Sequence, residues 1–242
     1  MKNPLNFVNN FAEISIDMTN ELAGELEKYK MVFPEDEYSN VMDLIGELKE
    51  NSRRINQHGK RADSIVRNML LHSRGRAGEK QATDINAMLD EDLNLAFHGM
   101  RARDASFNVS VEKEFDNSIG EILIVPQDIS RVFINIINNG FYELNRKNKS
   151  SKNNYKPTLR VTTKNLKDRI EICIKDNGNG IPAEIQDKLF NPFFTTKPAG
   201  EGTGLGLSLS YDIVVKQHRG EISYRSEPEK FTEFIISLPK NS

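Results

Sequence analysis
Apolar residues recur at steps of three or four along the first 74 residues. One row runs Val8, Phe11, Ser15, Met18, Leu22, Leu26 and Tyr29; a second runs Val41, Ile45, Leu48, Ser52, Ile55, Gly59, Ala62, Val66 and Met69. Between them "VFPEDEYS" supplies a proline, acids and polar residues, which suits a loop. Heptad-like spacing on two segments with a short connection predicts a helical hairpin with a coiled-coil seam. Pro4 suits the first turn of the first helix, where its missing N–H costs nothing. Two helices cannot bury both sides of such a seam, so the pattern predicts a homodimer built as a four-helix bundle. The alternative is that both helices pack on the rest of the same chain.

The stretch "SRGRAGEKQ" breaks this pattern with two glycines and mixed charge, and reads as a linker. Beyond it the pattern turns to strands and single helices. Residues 84–101 read as a helix, "FNVSVEKEF" and "GEILIV" as strands, and 126–144 as a helix opened by Pro126. "TLRVTTKNL" and "RIEICIKD" alternate as strands, 205–218 reads as helical, and "GEISYRS" and "TEFIISL" return to strands. The expected fold class is therefore α+β. A helical hairpin over 1–76 precedes an α/β sandwich over 79–242, with its helices on one face of the sheet. The basic stretch "NRKNKSSKNNYK" at 145–156 reads as a solvated loop.

Composition narrows the picture. With 33 Lys plus Arg against 35 Asp plus Glu, the net charge of −2 lacks the basic footprint of a general nucleic-acid binder. A single cysteine, Cys173, excludes an intrachain disulfide and fits a reducing, cytoplasmic setting. No apolar run reaches the roughly 20 residues that span a bilayer, so no membrane span is expected in this chain.

Three clusters carry candidate chemistry, and each has a plain alternative. In "RVFINIINNGFYEL", Asn135 and Asn139 sit four apart and share a helix face, with Glu143 one turn further. Amide oxygens suit a Mg²⁺ whose charge is balanced mostly by phosphates; the alternative is surface asparagines. In "IEICIKDNGNGIP", an apolar strand runs into Asp176, and Gly178 and Gly180 allow a tight turn. A carboxylate there accepts a hydrogen bond from the adenine amine and repels the guanine carbonyl; the alternative is an ordinary hairpin turn. In "FNPFFTTKPAGEGTGLGLSLS", Gly200, Gly202, Gly204 and Gly206 precede a helix from about Leu205. Their amides suit phosphate, Lys197 suits the terminal phosphates, and Phe190, Phe193 and Phe194 would pin the segment. The alternative is a flexible glycine linker. The order of residues matches neither a Rossmann fingerprint nor a P-loop.

Taken in order, Asn135/Asn139, D-N-G-N-G, F-x-P-F-F-T-T-K and G-T-G-L-G-L closely resemble the ATP-binding domain of sensor histidine kinases. That domain has the Bergerat-type fold shared with type II topoisomerases and mismatch-repair ATPases. The resemblance implies ATP and Mg²⁺ as cofactors, with Asn139 and Asn135 in the Mg²⁺-handling box and Asp176 on the adenine amine. It implies glycine boxes at Gly178 and Gly180 and at Gly202, Thr203, Gly204, Leu205 and Gly206. Lys197 would lie in the ATP lid, and Thr232 of "FTEF" near adenine. Gly140 departs from the alanine usual after the second asparagine. The hairpin in turn resembles the dimerisation and histidine-phosphotransfer domain, which implies a response-regulator receiver domain as partner.

In that family the first hairpin helix carries H-E-x-x-N-P-L, and "MKNPL" matches its last part. The phosphoacceptor histidine is therefore expected two residues ahead of Met1, and this chain is expected to bind Mg-ATP without phosphorylating itself. Asn3 matches the polar residue linked to phosphatase action. His58, His72, His98 and His218 stand in no such context and read as surface or bundle-packing residues. Two other readings remain open at this point: a non-enzymatic dimer that binds nucleotide and regulates a partner, and an ATPase of the topoisomerase kind.

Overall fold
The computed structural model describes residues 4–73, 78–151, 155–198 and 201–240. The chain divides into two compact units, Met1–Gly75 with Thr195–Thr203, and Arg76–Phe194 with Gly204–Ser242.

The first unit is built on α1 (Pro4–Glu27) and α2 (Glu35–Ser73), packed against each other as a hairpin. Its inner seam is made of small and polar residues. Ala12, Thr19, Ile45, Ser52 and Asn56 are buried, and Gly59 lies so close to Asn9 that a Cβ there would overlap the Asn9 side chain. Asn56 Nδ2 donates to the Asn9 carbonyl at 3.2 Å, while Thr19 and Ser52 return their hydroxyls to Ile16 and Leu48 of their own helices. These satisfied groups let two helices approach with few bulky side chains between them, Ile45 among those few.

The bulky rows behave differently from the expected seam. Ile45, Ser52 and Gly59 lie inside, but Val8, Phe11, Met18, Leu22, Tyr29, Val41, Leu48 and Ile55 stay 38–66% exposed. The side chains of Val66 and Met69 fall outside the described residues. Period alone identifies a helix, but two stripes share that period here, and the smaller one makes the contact between α1 and α2.

The second unit begins with β1 (Gln81–Asp84), α3 (Ile85–Arg103), β2 (Ser110–Glu114), β3 (Glu121–Ile124) and α4 (Pro126–Ser150). It continues with β4 (Thr158–Asn165), β5 (Arg169–Asp176), α5 (Ala183–Gln186) and α6 (Gly206–Tyr211). A π-helical turn (Asp212–Gln217), β6 (Glu221–Glu227) and β7 (Phe231–Pro239) complete it. A five-stranded sheet runs β2-β4-β5-β7-β6, antiparallel except for β2 beside β4, and β1 pairs with β3. Strict alternation puts Leu159, Val161, Ile170, Ile172, Ile174, Phe234, Ile236 and Leu238 on one face. That face meets Ile85, Leu89 and Leu93 of α3 and Ile129, Phe133, Ile137 and Phe141 of α4 in one core.

The structure departs from the expected elements at several places, the short α5 among them. Asp84 caps α3, its Oδ1 accepting from Asn86 and Ala87 N–H, and β1 precedes it. The expected helix at 205–218 divides into α6 and a π-helical turn. Finally, α4 runs to Ser150 rather than 144, because Arg146, Lys147 and Lys149 are good helix formers and no glycine or proline interrupts them. The first half of the basic stretch is thus helix, not loop, while residues 152–154 lie outside the described residues.

His218, read as a surface or bundle-packing residue, is buried in the α/β unit. Its Nδ1 donates to the Ile213 carbonyl at 2.9 Å and its Nε2 accepts from Val125 N–H at 3.1 Å, tying the end of the π-helical turn to the start of α4. Without the ring Val125 N–H would be left unpaired, while the Ile213 carbonyl would keep only the His218 backbone N–H at 3.1 Å. His218→Ala is expected to cost about 2–4 kcal/mol, read as a lower urea midpoint with an unchanged slope.

Candidate functional site
Along β5, Ile170, Ile172 and Ile174 point into the core, and the next position of that alternation is Asp176. The pleat therefore carries a carboxylate inward, where it is only 5% exposed. Its register partner on β7 is Thr232, also buried, whose hydroxyl lies 3.3 Å from Ser226 Oγ. Burial pushes the Asp176 carboxyl up from 3.8 to about 7, and Glu143 adds to the rise; the Gly178 N–H on Oδ1 at 2.9 Å and the Lys147 charge oppose it.

The turn after β5 requires its glycines. A Cβ on Gly178 would stand 2.6 Å from Asp176 Oδ1 and 3.1 Å from Glu143 Cβ. Gly180 has φ +67°, and a Cβ there would overlap the Glu227 carbonyl. Gly204 has φ +69° and packs against the backbone of Phe193, which is itself at φ 68°. Gly206 differs: a Cβ would meet Asn135 Cγ at an ordinary 3.5 Å, so its backbone freedom is not what the packing uses.

One face of α4 carries Asn135, Asn139, Glu143 and Lys147, each four residues on, and Glu143 and Lys147 meet this turn. Asn135 Nδ2 donates to the Gly206 carbonyl at 3.3 Å, tying α4 to the start of α6. Asn139 is half-buried on the same face. Glu143 accepts from Asn179 Nδ2 at 3.2 Å and pairs with Arg146 at 3.1 Å. Lys147, Tyr155 and Asn177 were not among the sequence candidates, yet all three hold the turn. The signal present in the sequence was the four-residue polar column, which continues past Glu143 to Lys147.

The structure gathers Asn135, Asn139, Asp176, Gly178, Gly180, Gly204, Leu205, Gly206 and Thr232 into one compact unit. Lys197, Gly202 and Thr203 belong to the segment Thr195–Thr203 of the other unit. There Thr195 Oγ1 accepts from Lys197 N–H at 3.2 Å, and a Cβ on Gly202 would stand 3.1 Å from Lys197 Cβ. Asn3 and Gly200 lie outside the described residues. Of the phenylalanines, Phe190 packs on Tyr211 and Tyr224, with ring centroids 5.5 and 6.2 Å away, whereas Phe193 stays exposed and pins nothing by burial. Among the described residues no three His, Cys, Asp or Glu side chains cluster to hold a metal by themselves. No helix among them is long and apolar enough to cross a membrane.

Residues 124–242 match the family model described as histidine kinase-, DNA gyrase B-, and HSP90-like ATPase. The signal transduction histidine-protein kinase AtoS of Escherichia coli (strain K12) is 34% identical over 181 residues, covering 74% of this chain and 27% of that protein. The sensory histidine kinase/phosphatase NtrB of Vibrio alginolyticus is 32% identical over 170 residues, covering 67% of this chain and 45% of that protein. The chain thus spans less than half the length of either relative. Among solved structures, the catalytic domain of histidine kinase ThkA aligns with a TM-score of 0.56 at 26% identity, covering 67% of this chain and 97% of that one.

The raised carboxyl sets a pH signature for the protein without ligand. A carboxyl whose folded value lies above its unfolded one favours the fold most at low pH, and loses that contribution as pH rises through about 7. Asp176→Asn keeps an acceptor for Gly178 N–H and removes the buried charge. At pH 8 this variant is expected to be the more stable, by on the order of 2–4 kcal/mol, and the gap is expected to close towards pH 4 in urea titrations.

Proposed function
Because the chain belongs to the sensor histidine kinases and carries their ATPase domain, we propose that it is the cytoplasmic catalytic portion of a two-component kinase. It binds Mg-ATP, passes the γ-phosphoryl to a histidine nitrogen, and thence supplies the aspartate of a response-regulator receiver domain. The observation that carries this reading is Asp176, a buried acceptor in register with Thr232 beside a glycine-demanding turn.

In this reading Asp176 accepts from the exocyclic amine of adenine, and Thr232 stands beside it. The amides around Gly204 and Gly206 face the phosphates, and Lys197, Gly202 and Thr203 are assigned to phosphate by their place in the sequence motif alone. Amide oxygens of Asn139 and Asn135 are the donors suited to Mg²⁺, a hard cation that accepts neutral oxygen ligands when phosphates carry the compensating charge. When bound, Mg²⁺ neutralises phosphate charge; the protein's own share is to position ATP and exclude wrong bases. Residues 1–76 form the dimerisation and phosphotransfer hairpin, and 79–242 the catalytic domain. The exposed apolar rows of α1 and α2 support a homodimer, because a second copy would bury side chains such as Phe11, Met18 and Leu48.

Calorimetry of Mg-ATP binding tests the site. Asp176→Ala is expected to abolish measurable binding while the far-UV spectrum is retained, and unchanged affinity would sink the adenine assignment. A second assay tests the reaction. A polypeptide of these 242 residues is expected not to label itself from γ-labelled ATP, since no histidine in it has the acceptor context. Joining an H-E-x-x-N-P-L acceptor segment at Asn3 is expected to give acid-labile, base-stable label. Absence of label on that chain would overturn the kinase reading.

A further inference from the structure
Lys147 spends its whole donor capacity on backbone. Its ammonium donates to the carbonyls of Asn177 at 3.1 Å, Gly178 at 2.8 Å and Glu229 at 2.7 Å. A lysine has three N–H donors, and all three are placed. The same ammonium lies 5.1 Å from the centroid of the Tyr155 ring. Tyr155 in turn donates to Asn177, whose carbonyl and Oδ1 are both 3.1 Å from the phenol. Asn177 Oδ1 accepts from Thr158 N–H and its Nδ2 donates to the Lys156 carbonyl, so the asparagine is pinned on both sides.

These contacts converge on the carbonyls of Asn177 and Gly178, the first of which shares its peptide unit with the Gly178 N–H that reaches the carboxylate. They also tie that turn to the tip between β6 and β7. Glu229, at φ 63°, donates its N–H to the Asn179 carbonyl at 2.6 Å, and Ser226 Oγ accepts from Ile181 N–H at 2.8 Å. A lysine serving only as a solvated surface charge would not bridge three carbonyls from two separate loops.

We propose that Lys147, braced by Tyr155, is a positioning residue for base recognition: it holds the Asp176–Gly180 turn against the β6–β7 tip so that the Asp176 carboxylate presents a fixed acceptor to the adenine amine. This rests on the reading of Asp176 as the adenine contact. The effect is geometric and falls on the base, so it is separable from general loss of stability. Lys147 touches no nucleotide in this scheme; it acts through Asn177 and Gly178.

The test compares Mg-ATP with Mg-ITP, which carries a carbonyl where adenine has its amine, on the whole chain by competition against a fluorescent adenine nucleotide. Lys147→Met is expected to weaken ATP about tenfold while changing ITP much less, so that the ATP/ITP preference shrinks. Tyr155→Phe, which removes only the hydroxyl, is expected to move the same ratio in the same direction by a smaller factor, and serves if Lys147→Met does not fold. A fall in melting temperature with the ATP/ITP ratio unchanged in both variants would overturn the proposal, leaving Lys147 a structural residue. Asp176→Ala is run beside them for Mg-ATP affinity. If that variant binds Mg-ATP with wild-type affinity, the adenine assignment itself fails and the proposal falls with it. If it loses Mg-ATP binding while Lys147→Met and Tyr155→Phe keep the wild-type ATP/ITP ratio, only the proposal fails.

Discussion
A carboxylate enclosed at the end of an apolar strand is the constraint around which the α/β unit is arranged. Moving such a group out of water costs several kcal/mol unless it is paired or hydrogen-bonded. The fold meets that cost only in part. One backbone amide reaches Oδ1, and a lysine charge acts from the far side of the turn, yet burial still leaves the carboxyl displaced to about 7. The glycines are a consequence of the same constraint, since any side chain at Gly178 would press on the carboxylate oxygen. So is the cross-strand threonine, a small polar neighbour where the rest of that face carries isoleucine, phenylalanine and leucine. A carboxylate held under-compensated in this way has an unspent capacity to accept a hydrogen bond, which suits recognition of a donor.

Much of this was legible in the sequence because it rests on period and on backbone demands. The alternation of β4, β5 and β7 delivers Asp176 to the inner face by counting alone, and the spacing of Asn135 and Asn139 places both on one helix face. Other parts were not legible, for identifiable reasons. At the end of α4 the helix signal, Arg146, Lys147 and Lys149 with no glycine or proline, is masked by a composition rich in charge, serine and asparagine that also suits a loop. The importance of Lys147 and Tyr155 comes from carbonyls 30 and 22 positions away. His218 is a sharper case. Its partner Val125 N–H lies 93 positions earlier, and a backbone partner leaves no trace in side-chain pattern.

The hairpin shows a different limit of pattern reading. Large apolar residues at helical spacing draw attention to themselves, but α1 meets α2 through Ala12, Thr19, Ser52, Asn56 and Gly59. Close approach needs small residues, and the hydroxyls among them remain affordable because each bonds back to its own helix. The two stripes thus separate two tasks: one closes the pair of helices, and the other presents a broad apolar surface outward.

The column Asn135, Asn139, Glu143 and Lys147 rides on one unbroken helix, which makes length rather than identity the vulnerable quantity in this part of the chain. Each residue added to an α-helix turns everything beyond it by about 100° and advances it about 1.5 Å. A single insertion between Asn139 and Lys147 would swing the ammonium away from the turn while leaving the asparagines in place, and a deletion would do the same with the opposite hand. Substitutions on the outer side of α4 carry no such penalty. Over evolutionary time this helix should therefore vary freely in its solvent-facing letters while resisting any change in its count.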